Sequence, residues 1–225
     1  MPHLVLWDID HTLIDTRGVG RKLSAAAFEE VTGQPMQQQA QIDGITEAVI
    51  FRETAKLHGI STDRTDFERF AAALTRQHAE RAAELRNRGH ALPGAATALA
   101  ALSAANVRQT VVTGNIRAVA RIKLCLFGLD THIQWEYGAY GEDADLRPTL
   151  VELALNRSSA AASDVALIGD TPADVEGGKA AGVRVIAVAT GRTSAEALRD
   201  AGADVAIEDL TDVNALTKLV VADRL

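Results

Sequence analysis

The stretch "LVLWDIDHTLID", residues 4–15, decides how the rest of the chain is read. Leu4, Val5, Leu6 and Trp7 form an unbroken apolar run that stops in two carboxylates, Asp8 and Asp10, with only Ile9 between them. A short strand that is apolar on both faces has no side to turn to water. It belongs inside a parallel sheet covered on both faces. Two acids at its end repel one another, so the sheet must also supply a reason for placing them together.

Outward from that strand, similar short β-branched runs recur at 107–113, 164–170, 183–189 and 203–208, with a weaker one at 131–137. Helix-period segments lie between or after them, at 115–127, 148–158, 172–181, 194–201 and 212–222. Strands alternating with helices predict an α/β fold built on a parallel sheet. Capping signals agree: "TPAD" (171–174) sets a threonine before a proline and an acid in the first turn. "TSAE" (193–196) has the spacing of a capping box.

One interval breaks the alternation. Almost a hundred residues separate the first strand from the one near Val107, whereas a βαβ unit takes roughly 30. Most of the interval reads as helix, at 19–32, 46–58 and 64–88, with a polar loop at "PMQQQAQ" (35–41). The segment 92–106 then supplies an ordinary crossover helix. A helical insertion over 16–90 follows, leaving through "DTRG" and returning at "GHALPG". The two expected units are a core of 1–15 and 91–225 and a helical cap of 16–90.

Composition bounds the function. A net charge of -7 argues against coating nucleic acid, which needs a basic footprint, but it leaves room for a locally positive site that takes small anions. The long charged segment 64–88 interleaves acids with bases and reads as an amphipathic helix. The single cysteine, Cys125 in "RIKLCLFGL", reads as a small buried hydrophobe. No secretory leader or membrane span is legible, so the expectation is a cytoplasmic protein with no membrane partner.

In open parallel sheets, ligands bind beyond the carboxyl ends of the strands. Three expected strands end there in polar or small residues: Asp8 to Asp10, Thr113-Gly114-Asn115, and Gly169-Asp170. Gathered at one spot, these acids are unfavourable without a counter-charge. A divalent cation resolves the conflict, and hard oxygen ligands point to Mg2+.

The ordered set "DIDHT", "VVTGN", a basic residue, then "GDTPAD" resembles the haloacid dehalogenase superfamily of phosphohydrolases over the whole chain. Its phosphoglycolate-phosphatase-like branch, with a helical cap, is nearest. The resemblance implies a Rossmann-like parallel core with the cap inserted after the first motif. It also implies an Mg2+-dependent phosphatase acting on a small phosphorylated metabolite, as a monomer or homodimer. Asp8 would be the nucleophile that forms an aspartyl-phosphate. Asp10 would be the general acid and base, and its backbone carbonyl a metal ligand. Thr113, with the amides of Gly114 and Asn115, would hold phosphoryl oxygens. Asp8, Asp10 and Asp170 would ligate the metal, and Asp174 would orient bound water or fix the loop.

Two positions depart from the family pattern. His11 stands where glycine is usual, as a turn residue or a substrate contact. The usual lysine is matched by Arg147 of "RP", which can grip phosphate bidentately but also reads as a surface arginine before a helix. Several side chains admit two roles. Asp174 also reads as charge at a helix start, and Thr113 as a strand-end cap. Asp15 and Thr16 read as a hinge or an N-cap. Arg17, Arg21, Lys22 and Arg52 could reach a leaving group or be solvated. Gly191 and Arg192 could border the site or make a plain turn, and Trp7 and Trp135 read as core. A phosphomutase of the β-phosphoglucomutase type would use the same motifs. A non-catalytic module with this fold would lack the nucleophile, the acid or a metal ligand.

Overall fold

The computed structural model describes residues 4–42 and 44–221. Strand β1 (Leu4–Trp7) is wholly buried. It pairs in parallel with β4 (Arg108–Val111) on one side and β5 (Val165–Gly169) on the other. Next come β6 (Arg184–Val188) and β7 (Val205–Ile207), giving a five-stranded sheet in the order β4-β1-β5-β6-β7. All four pairings are parallel.

The apolar run explains itself in the packing. Val5 and Trp7 enter a cluster with Ala95, Leu99, Leu124 and Leu216, which lie on α5 (Ala95–Ala104), α6 (Arg117–Leu126) and α10 (Val213–Val221). Leu4 and Leu6 point the other way, to Leu150 and Ala154 of α7 (Arg147–Ser158). Strand side chains alternate between faces, and both faces of β1 are covered. Burying a Leu or Val side chain is worth about 1.5–3 kcal/mol, so this strand anchors the acids that follow it. Helices α8 (Pro172–Ala180) and α9 (Ala195–Asp200) complete the layers around β6.

The long interval is helical, as expected: α1 (Val19–Thr32), α2 (Glu47–Leu57), α3 (Arg64–Glu80) and α4 (Ala82–Arg88). Phe28, Phe51, Phe67 and Phe70 build its core, with the Phe51 and Phe70 rings stacked at 4.5 Å. Ile116 and Val119 join that cluster, seating the insertion beside α6. Entry and exit are tied by a two-residue antiparallel ribbon of β2 (Ile14–Asp15) and β3 (His90–Ala91).

Several expectations need correction. The span 64–88 is not one helix: it breaks at Arg81, and α4 redirects Leu85 into a small cluster with Val19 and Leu23. No Gly or Pro marks that break, so packing alone sets it. Residues 131–137 are not a strand. Gln134 donates to the Gln109 carbonyl at 2.8 Å and Ala139 to that of Val111 at 3.0 Å, but Tyr137 turns back to Gln134 in between. Helix α9 is capped by Ser194, which accepts from Ala197, not by Thr193. Cys125 is exposed, because Val119, Ala120, Lys123 and Leu124 take the inward stripe of α6. Trp7 is in the core, and Trp135 packs against it partly buried. The expected helix 212–222 is described to Val221, and residue 222 lies outside the described residues. Among the described residues no helix is long and apolar enough to cross a membrane.

Candidate active site

Past Trp7 the chain leaves β1 in a tight turn: Asp8 donates to the Ile168 carbonyl at 2.9 Å, and Leu13 returns to that of Ile9 at 2.9 Å. His11 has a φ of 63°, a left-handed conformation that a glycine adopts without strain. The preference for glycine here is thus a backbone demand. The His11 side chain nevertheless lines the cavity above the strand ends.

That cavity, of about 150 Å3, is lined by Asp8, Asp10, Thr113, Gly114, Asn115, Arg147 and Asp170. Seven of the eight residues singled out in the sequence therefore share one wall. The eighth, Asp174, lies behind it, 1 % exposed. At the tip of β4 the Thr113 hydroxyl accepts from the Asn115 amide at 3.2 Å and its side-chain nitrogen at 2.8 Å. Gly114 is required by a close approach, since a Cβ there would strike the backbone oxygen of Ile45. At the tip of β5, Asp170 accepts from Thr12 at 3.1 Å. Thr171 and Asp174 then form a reciprocal capping box at the start of α8. Gly191 does border the site, because a Cβ there would collide with the Asp170 carboxylate.

Arg147 is buried at the first turn of α7, not on the surface. Its Nη2 lies 3.0 Å from both Asp8 Oδ1 and Asp174 Oδ1, while Nη1 donates to the Val112 carbonyl at 3.1 Å. One guanidinium thus bridges two strand ends. Asp8, Asp170 and Asp174 each offer an oxygen, and the three oxygens lie within 4.8 Å of one another. Burial, then the charge of Asp174, raises the proton affinity of Asp8. Burial and the charge of Asp8 push Asp170 up to about 9. Three buried carboxylates against one guanidinium leave an excess that a divalent cation matches, and the donors are all hard oxygen. The residues present fit such a metal.

Asp10 faces elsewhere. Its oxygens accept from Lys123 Nζ at 2.7 and 2.9 Å and from Asn115 at 2.7 Å. Burial disfavours its charge, but the Lys123 ammonium and these hydrogen bonds outweigh it and hold Asp10 below the usual carboxylate range. Lys123 is itself 5 % exposed and also donates to Asn115 Oδ1 at 2.6 Å.

Lys123 escaped the sequence reading. Its signal was present: a lysine on the 119/120/123/124 stripe of an amphipathic helix sits where only a paired charge is tolerated. Two further cavity residues, Glu47 and His78, come from α2 and α3. His78 continues the Phe67, Phe70, Leu74 face and Glu47 opens α2, and neither belongs to a motif. Of the insertion's cations, Lys22 pairs with Glu84 and Arg52 with Asp145, while Arg21 lines the cavity rim. Asp15 accepts from the Arg17 amide within the ribbon turn, and Gly18 takes the N-cap of α1.

Converging carboxylates at the carboxyl ends of a parallel sheet, beneath a helical insertion, define a class of α/β hydrolase. The chain belongs to the haloacid dehalogenase-like hydrolase family, whose pattern matches residues 5–188. It is 28% identical over 232 residues to "Probable phosphatase IndB" of Dickeya dadantii, covering 97% of this chain and 96% of that one. The structure superposes on a hydrolase from Pseudomonas syringae with a TM-score of 0.72, 19% identity, and coverage of 99% and 100%. A HAD family hydrolase from Deinococcus radiodurans R1 holding phosphate and sodium matches with a TM-score of 0.60 and 20% identity, over 97% and 96%.

Proposed function

We propose that the protein is an Mg2+-dependent phosphatase that hydrolyses a small phosphorylated metabolite through an aspartyl-phosphate on Asp8. One observation carries the reading: Asp8, bonded to Arg147, faces the same small cavity as Thr113, Asn115 and Asp170. A relative named as a phosphatase and a solved structure of this fold with bound phosphate support it.

The chemistry follows from charge. A carboxylate attacking a phosphate dianion needs its repulsion neutralised. Arg147 supplies a fixed positive charge beside the attacking oxygen, and it is positioned by the Val112 carbonyl and Asp174. Asp8, Asp170 and the Asp10 carbonyl would hold Mg2+, with Asp174 behind them, and the ion would supply Lewis-acid stabilisation of the phosphoryl oxygens. Thr113 and the amides after it grip those oxygens at the start of α6. Asp10 rests ionised beside Lys123. A phosphate dianion entering next to it raises its proton affinity, so Asp10 takes a proton with the substrate and gives it to the leaving alkoxide. Ionised again, it accepts a proton from the water that attacks the phosphoenzyme. Residues 16–90 act as the cap, opening for substrate and closing to exclude bulk water.

The test is phosphate release from p-nitrophenyl phosphate and a panel of metabolite phosphates, with MgCl2 and with EDTA, beside Asp8→Asn. Full turnover by Asp8→Asn removes the nucleophile. An isomerised sugar phosphate in place of free phosphate turns the reading toward a mutase.

A further inference from the structure

The wall of the cavity formed by the insertion carries two polar atoms unpaired among the described residues. Glu47 Oε2 and His78 Nε2 are shielded from solvent and have no hydrogen-bond partner there, and both residues line the cavity that holds Asp8 and Asp10. His78 is 2 % exposed. Its Nδ1 faces the Leu74 carbonyl at 2.9 Å. A carbonyl only accepts, so Nδ1 carries the ring proton and Nε2 presents a bare lone pair. Burial and the nearby Lys123 charge agree, pulling His78 down to about 4 and keeping it neutral. Burial pushes Glu47 up to about 7.

A buried acceptor left unpaired is costly, and a tight apolar neighbour would leave it so. The charges choose further. Lys123 is already engaged by Asp10 and Asn115, so an anionic leaving group at this wall would face Asp10 and Glu47. Among the described residues, the insertion's lining cation, Arg21, is exposed at the rim, where solvent screens it.

We propose that Glu47 and His78 form a specificity subsite for a hydroxyl on the alcohol portion of the substrate, so that the protein takes neutral, hydroxylated phosphomonoesters of the polyol or sugar type over unhydroxylated or carboxylated ones. This rests on the phosphatase reading above.

The experiment compares kcat/KM within matched pairs: glycerol 3-phosphate against propyl phosphate and phosphoglycolate, and glucose 6-phosphate against cyclohexylmethyl phosphate. The hydroxylated member of at least one pair is favoured by about tenfold to a hundredfold, the effect of a desolvated hydrogen bond made or lost. Glu47→Leu and His78→Leu collapse that preference toward one. His78→Gln, which keeps an acceptor, restores part of it, and a merely structural histidine would not. Thermal melts identify any variant that does not fold, and Glu47→Leu, on the less buried helix start, then carries the test. Equal kcat/KM in all three comparisons overturns the subsite, as does a preference that survives both leucine variants, since a trapped water then satisfies the two atoms. Failure of the wild type on every ester, p-nitrophenyl phosphate included, overturns the phosphatase reading itself.

Discussion

Removing divalent metal converts the acidic cluster into a pH-dependent weakness whose sign is fixed by burial. Asp170 is held well above its ordinary range by desolvation and by Asp8. A carboxyl raised in the fold binds its proton more tightly there than in the unfolded chain. Its stabilising effect is complete below the unfolded value near 4 and is lost as pH rises through the raised one. Between pH 6.5 and 8 the folded protein keeps about one proton on Asp170 that the unfolded chain has released, and Asp8 and Glu47, each raised to about 7, add to it at the lower end. For Asp170 alone, linkage gives a loss of about 1.4 kcal/mol per pH unit, or about 2 kcal/mol over the window. For a chain of this size that is a fall in Tm of about 4–8 °C. His78, neutral in the fold, opposes this slope only at the lower edge of the window, because the unfolded imidazole loses its proton near pH 6.5. The assay is differential scanning fluorimetry in EDTA across the window, repeated with excess MgCl2, which stabilises the fold by mass action, and with Asp170→Asn. Wild type loses stability with rising pH in EDTA, Mg2+ flattens the slope, and Asp170→Asn has a shallower slope in EDTA than the wild type. A metal-free Tm that stays level or rises over the window, or one insensitive to Mg2+, refutes the electrostatic account of the cluster.

Three further outcomes follow from single contacts. Lys123→Met removes the counter-charge of Asp10, so burial then dominates and the alkaline limb of the pH profile of kcat/KM, set by the proton Asp10 gives the leaving group, moves upward. The accompanying stability loss is about 1–3 kcal/mol, limited by the partial exposure of Asp10, and is read by urea melts. Phe70→Ala empties a stacked position in the insertion core and costs about 3–5 kcal/mol in the same melts. His11→Gly relieves a left-handed residue but loosens the unfolded chain, two effects of about 1 kcal/mol each that nearly cancel. A change in KM without a change in Tm there identifies the imidazole as a substrate contact.

The sheet was legible because its strands are apolar on both faces and end in chemistry. β1 declares its place in four residues, and the acids after it mark the carboxyl edge. Legibility failed where a role depends on distant partners. Lys123 meets Asp10 across 113 positions, so no local window contains the pair. Glu47 and His78 gain meaning only when two insertion helices lean over the strand ends. The break at Arg81 has no local cause, since alanines and charges on either side favour a continuous helix. The strand-like 131–137 has the composition of a strand but, among the described residues, makes one backbone bond to the β4 edge, from Gln134 to the Gln109 carbonyl.

The short ribbon of Ile14–Asp15 with His90–Ala91 has an evolutionary consequence. It brings the two ends of a long excursion side by side, so the sheet meets that excursion as a near-closed loop whatever its length. Mutation can lengthen, shorten or resurface the helices without shifting the register of β1 against its neighbours. Selectivity is thereby free to drift while the reacting groups stay where they are.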